Sequence, residues 1–125
     1  MKMNLRVGAL GKAYSDGEKI ISQGEIGDCM YILQQGEVEI VFERPEGDTV
    51  LGTLNPGAVF GEMALFTREP RSATVRSKGT SRIMTVDKKG FLKRVHQDPS
   101  LAFRILQKMS LRVQKLNDEL SRIKT

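Results

Sequence analysis

The chain changes its hydrophobic period once, just after Val86, and that change constrains its fold more than any single residue does. Before it, the apolar runs are short: residues 18–21, 30–33, 49–54, 72–76 and 81–86, with 37–43 beginning in polar/apolar alternation. Turn-forming clusters separate them, among them Ser15-Asp16-Gly17, Gly24-Glu25-Ile26-Gly27-Asp28, Gln34-Gln35-Gly36 and Asn55-Pro56-Gly57. Short runs rich in Val, Thr and Ile between such turns read as strands. Many of them at close spacing predict an antiparallel sandwich or barrel, of which the double-sheet jelly roll is one form.

After Val86 the period becomes helical. Residues 87–95 suit a short helix with Asp87 as its N-cap. Asp98-Pro99-Ser100 restarts the chain, with Pro99 suited to a first helical position. From there to Lys124 there is no glycine and no further proline. Ala102, Leu106, Met109, Val113, Leu116, Leu120 and Ile123 recur at 4-3-4-3-4-3 spacing, a heptad seam, and Leu101, Phe103 and Ile105 widen the apolar surface near its start. An isolated short helix is marginal in water. The first turns are therefore expected to dock on the β domain and the later ones to pair with a second copy, giving a homodimer. The expected division is 1–98 for the β domain and 99–125 for the long helix.

The length of 125 residues fits one compact domain. Hydrophobic residues at 39% and charged ones at 28% allow an ordinary core. No apolar run approaches the ~18 residues of a membrane span, and the start MKMNLRVGAL lacks the pattern of a signal peptide. Cys29 is the only cysteine, which points to a reducing, cytoplasmic setting. The net charge of +5 is uneven: residues 1–81 hold 9 basic and 11 acidic side chains, residues 82–125 hold 11 and 4. Without aromatic or glycine interleaving, the basic part reads as a solvated helix face, so direct nucleic-acid binding is not expected.

The residue inventory argues against catalysis. With His96 the only histidine and Cys29 the only thiol, a metal site built on two or three histidines is impossible. His96 suits a helix C-terminus, where a cation is favoured. No strand–Ser–helix elbow and no Walker phosphate loop are present. No enzyme, metal or cofactor is expected, which leaves binding.

The stretch FGEMALFTREPRSATV, residues 60–75, places Glu62 and Arg71 at either end of an apolar loop. Both charges are costly there unless something satisfies them. Gly61 permits a tight backbone turn. A helical turn over residues 61–65 would offer N–H groups to an anion, and Arg71 would add a planar cationic fork. Ser72, Ala73 and Thr74 are small enough to let backbone and hydroxyl groups reach the same anion. A phosphate would repel Glu62, so Glu62 suits sugar hydroxyls. The combination describes a ligand with a phosphate, a ribose and an apolar or aromatic body.

FGEMALF…PRSATV resembles the phosphate-binding cassette of the cyclic nucleotide-binding domain family. That family includes catabolite activator transcription factors, regulatory subunits of cyclic AMP-dependent kinase and cyclic nucleotide-gated channels. DGEKIISQGEIGDCMYILQQGEVEI resembles its glycine-punctuated first strands, and LNPGAVFGE its approach to the cassette. The resemblance implies an eight-stranded antiparallel jelly roll followed by helices, in a bacterial sensor. By it, Glu62 accepts from the ribose 2′-hydroxyl. Arg71 pairs with the cyclic phosphate, helped by the N–H groups of Ala64 and of Ser72 or Ala73. Phe60 and Gly61 lead into the site, and Ile40, Leu51, Met63 and Val75 wall the base. Cyclic AMP is the first expectation and cyclic GMP the alternative, since Ser72 is compatible with both. Asn117 of the long helix is placed near the base, where its amide both donates and accepts; the neighbouring Leu116 departs from the hydroxyl typical of relatives. A dimerising domain that binds no nucleotide is the remaining alternative.

Overall fold

The structure, a computed structural model, describes residues 11–124; residues 1–10, read above against a signal peptide, and Thr125 lie outside it. The elements run β1 (Lys12–Tyr14), β2 (Lys19–Ile21), β3 (Cys29–Phe42), β4 (Thr49–Leu54), β5 (Val59–Phe60), a 3-10 helix (Glu62–Leu65), β6 (Thr74–Asp87), α1 (Lys88–Gln97) and α2 (Ser100–Lys124). The described residues form two compact units, one ending at Phe91 and the other starting at Leu92.

The mainly β class with helices after it is as expected, but the strand number is corrected from eight to six. The expected runs 30–33 and 37–43 are one 14-residue strand, β3, and runs 72–76 and 81–86 merge into β6, which is also 14 residues long. The two pair antiparallel throughout, from Cys29↔Asp87 to Val41↔Thr74. Each bends midway. Gly36 there has φ 83 and Gly79 φ 71, and the register shifts on either side of Gln35. A side chain on Gly36 would run into the Thr80 carbonyl, so the bend needs glycine for space as well as for its dihedral. Ser77 Oγ closes the kink by bonding Ser81 Oγ at 2.7 Å and donating to the Gly79 carbonyl at 2.6 Å.

The bend lets each long strand serve two sets of neighbours. β1 pairs with residues 81–83 of β6, and β5 with residues 31–32 of β3. β2 pairs with residues 75–76 of β6, and β4 with residues 38–42 of β3. The halves thus make two four-stranded arrangements from six strands. Between them sits one core of Tyr14, Ile21, Leu33, Val38, Phe60, Val75 and Ile83, with Ile20, Tyr31, Ile40 and Leu54 at its margin. Burying each large apolar side chain there contributes about 1.5–3 kcal/mol. β1 and β5, of three and two residues, are too short to carry a readable period.

Both helix starts follow their sequence signals. Asp87 Oδ1 accepts from Gly90 N at 2.7 Å, the geometry of an N-cap. Asp98 Oδ1 accepts from Ser100 N at 3.1 Å, and the Pro99 carbonyl accepts from Phe103 N, so Pro99 stands directly before Ser100, the first residue of α2, one position earlier than the sequence suggested. Leu101 and Ile105 are buried, whereas every residue from Ser110 to Ile123 is exposed.

Candidate functional site

The strands place a row of residues side by side. Ile40 of β3 faces Gly52 of β4 on one flank and Val75 of β6 on the other, and Val75 faces Ile21 of β2. Residues directly opposite in antiparallel strands project to the same face. Gly52 interrupts the row, with open space where its side chain would be. Leu51 is the bulged residue between the pairs Ile40↔Gly52 and Val41↔Val50, and it is 60% exposed.

Phe60 ends β5 in the core. Gly61 then turns the chain with φ 71 and ψ 17, a left-handed conformation that favours glycine. The turn opens the 3-10 helix, where the Met63 carbonyl accepts from Phe66 N at 3.0 Å and Thr67 N at 2.9 Å. Glu62, the first residue of this helix, is 2% exposed. Met63 and Phe66 are 40% and 54% exposed, and Phe66 meets Phe91 edge-on at 5.9 Å. Ala64 is half-buried.

Arg71 is held through backbone and side chain together. Its N–H donates to the Glu25 carbonyl and its own carbonyl accepts from Gly24 N, both at 2.8 Å, and Pro70 bridges to Ile26 beside them. The loop between β2 and β3 thus fixes the Arg71 backbone. In the side chain, Nη1 donates to the Gly61 carbonyl and Nη2 to the Cys29 carbonyl, each at 2.8 Å. The guanidinium also lies 5.9 Å from the centre of the Tyr31 ring, which stacks on Phe60 at 5.5 Å. A guanidinium has five N–H donors. Two are engaged by carbonyls, which leaves three outside those bonds.

Burial, and after it the Cys29 side chain, pushes the Tyr31 phenol well above its ordinary value, while Arg71 opposes the shift. The ring is therefore a neutral aromatic floor at physiological pH, suited to a cation above it.

Ser72 follows Arg71 and is exposed, and Ala73 is half-buried. Thr74 begins β6 and is buried; its Oγ1 donates to Glu43 Oε2 at 2.6 Å and accepts from Gln23 N at 3.0 Å. The Gln23 amide clasps the Glu43 backbone, accepting from its N at 2.7 Å and donating to its O at 2.9 Å. Thr74, then Lys19 at 3.0 Å, hold the Glu43 carboxyl below its ordinary range. This clasp fixes where β6 begins, three residues after Arg71.

The strands and cassette place Phe60, Gly61, Arg71 and Tyr31 together, with Ile40 and Val75 in adjacent register. Asn117 lies in α2, within the second unit, and is exposed. Sequence reasoning missed Tyr31, the Cys29 carbonyl and the loop at Gly27. Only the glycine spacing of that loop was visible beforehand. Among the described residues, no group of three His, Cys, Asp or Glu could hold a metal ion, and no helix is long and apolar enough to cross a membrane.

Residues 11–98 match the family model of the cyclic nucleotide-binding domain. The cAMP-dependent protein kinase type II regulatory subunit of Drosophila melanogaster is 37% identical over 78 residues, 62% of this chain and 21% of that protein. The chain thus spans about a fifth of that relative's length. The catabolite activator protein of Thermus thermophilus overlays with a TM-score of 0.80 at 24% identity, covering 94% of this chain and 56% of that one, which supports the fold. A structure from work on a cyclic-GMP-dependent pathway in bacterial phytopathogenesis overlays with a TM-score of 0.66 at 26% identity, covering 82% of this chain and 81% of that one. With the model matching more than half its length, this chain belongs to the cyclic nucleotide-binding domain family.

Proposed function

We propose that the chain is a cytoplasmic regulatory sensor module that binds a cyclic nucleotide, cyclic AMP first, and performs no chemistry on it. The observation that carries this reading is the seat of Arg71. Its fork is held at the Gly61 carbonyl with three donors left over, next to the turn that carries Glu62. A cyclic phosphodiester has one negative charge, which one guanidinium and nearby amides of Ala64 and Ser72 or Ala73 can match. Glu62 takes the ribose hydroxyl. Ile40 and Val75, with Leu51 and Met63 at the rim, wall the base, and the gap at Gly52 leaves room beside Ile40.

Calorimetric titration of cyclic AMP and cyclic GMP tests the reading. Arg71→Ala should weaken binding at least about tenfold, as expected for losing a charge-assisted pair. Undiminished affinity in that variant overturns it.

Cyclic GMP is the second reading. It is favoured by the likeness to the structure from the cyclic-GMP-dependent pathway, and the exposed Ser72 beside Arg71 is compatible with it. Titrating both nucleotides separates the two.

The output runs through the helices, with 1–98 as the sensing part and 99–125 as the reporting helix. The ligand shifts their arrangement only through different affinities for the two states. The seam positions Leu106, Val113, Leu116, Leu120 and Ile123 are 53–80% exposed in one chain. An unpartnered seam at heptad spacing supports pairing with a second copy through α2. Asn117, on the same helix, is assigned to the edge of the base.

A further inference from the structure

We propose that Gly27, which lies outside the cassette, is a positioning residue for Arg71: the side chain it lacks is the space the guanidinium occupies. The inference rests on Arg71 being the phosphate-binding arm. A Cβ at Gly27 would lie within 2.6 Å of three Arg71 atoms, Nη2, Nε and Cζ. Backbone conformation does not explain this glycine, because its φ lies outside the left-handed region. Gly24, in the same loop, is the opposite case: its φ is 88 and its surroundings are open. One glycine serves the turn and the other serves the arginine.

The loop cannot retreat readily from an added methyl group. Gly24 and Glu25 are hydrogen-bonded to the Arg71 backbone and Ile26 is bridged to Pro70. The guanidinium, at the end of a flexible side chain, has to move instead. Its Nη atoms are bonded to the Gly61 and Cys29 carbonyls and it lies beside the Tyr31 ring, so moving costs it both carbonyl bonds. Gly27→Ala therefore separates folding from binding, leaving the strands intact while the fork leaves its seat.

The test is calorimetric titration of both cyclic nucleotides, with thermal melting, on wild type, Gly27→Ala, Arg71→Lys and the double variant. Arg71→Lys keeps the charge but removes the planar fork, so the methyl group meets only a flexible chain end that can yield, with no fixed fork to dislodge. Gly27→Ala should lose at least about tenfold in affinity in the wild-type background and less than about twofold in the Arg71→Lys background, the non-additivity expected of residues in contact. If Gly27→Ala alone melts early, the double variant melting like Arg71→Lys supports the same clash. The proposal is overturned if Gly27→Ala binds like wild type, if its loss recurs in full in the Arg71→Lys background, or if both Gly27→Ala chains melt early. Wild-type protein that binds neither nucleotide overturns the parent reading as well, which distinguishes the two failures.

Discussion

Arg71 Nη1 donates to the carbonyl of Gly61 across 2.8 Å, so the two ends of the cassette are joined by one hydrogen bond spanning ten residues. Gly61 can present that carbonyl because it turns with φ 71, which sends the chain directly into the 3-10 helix. The charge at residue 71 and the glycine at residue 61 therefore depend on each other's geometry.

Gly61→Ala should be destabilised and should bind cyclic nucleotide poorly. The left-handed backbone costs about 1–2 kcal/mol with a Cβ. The new atom would also lie 2.8 Å from Arg71 Nη1 and 2.9 Å from Ile21 Cδ1. Thermal melting should fall by roughly 4–8 °C per kcal/mol for a domain of this size. An unchanged melting temperature contradicts the prediction.

Tyr31→Leu should weaken nucleotide binding by roughly two- to fivefold, as the loss of ~0.5–1 kcal/mol of cation–π attraction implies. Leucine keeps an apolar side chain at the core margin but removes both the face near Arg71 and the stack on Phe60. Comparison with Tyr31→Phe, which keeps the ring, isolates that effect: Phe should bind as wild type does.

Acid should loosen the clasp at the start of β6. The folded carboxyl of Glu43 titrates below its ordinary value because Thr74, then Lys19, hydrogen-bond its charged form. The stabilisation is present in full above the unfolded glutamate pKa and is lost as pH falls through the lower folded value. Melting curves from pH 7 down to pH 3 should show a steeper acid decline for wild type than for Thr74→Val. That variant lacks the hydroxyl and should melt lower at neutral pH. Parallel pH profiles refute the assignment.

Leu116→Glu combined with Leu120→Glu should convert a dimer to a monomer in light scattering. Both residues are more than half exposed in the single chain, so the fold of the unit ending at Phe91 should keep its melting temperature. A variant that stays dimeric rules out α2 as the interface.

Much of the architecture was legible because its signals are local. The helix starts at Asp87 and Asp98-Pro99, the heptad spacing of α2 and the turn at Gly61 each arise from a few neighbouring residues acting on their own backbone. The strand number was not legible. A glycine in the middle of a strand and a glycine between two strands look alike in sequence, and only the ladder between β3 and β6 shows that Gly36 and Gly79 bend continuous strands.

By itself the sequence determined the change from short strands to helices, the occurrence of Glu62 and Arg71 in one short stretch and the family resemblance, since these lie in contiguous residues with their own periodicity and chemistry. Tertiary structure alone decided where the guanidinium rests. Its second carbonyl belongs to Cys29, 42 residues away, its aromatic floor to Tyr31, and its free space to Gly27. Contacts across such separations form only when strand pairing brings the segments together, so no local pattern announces them.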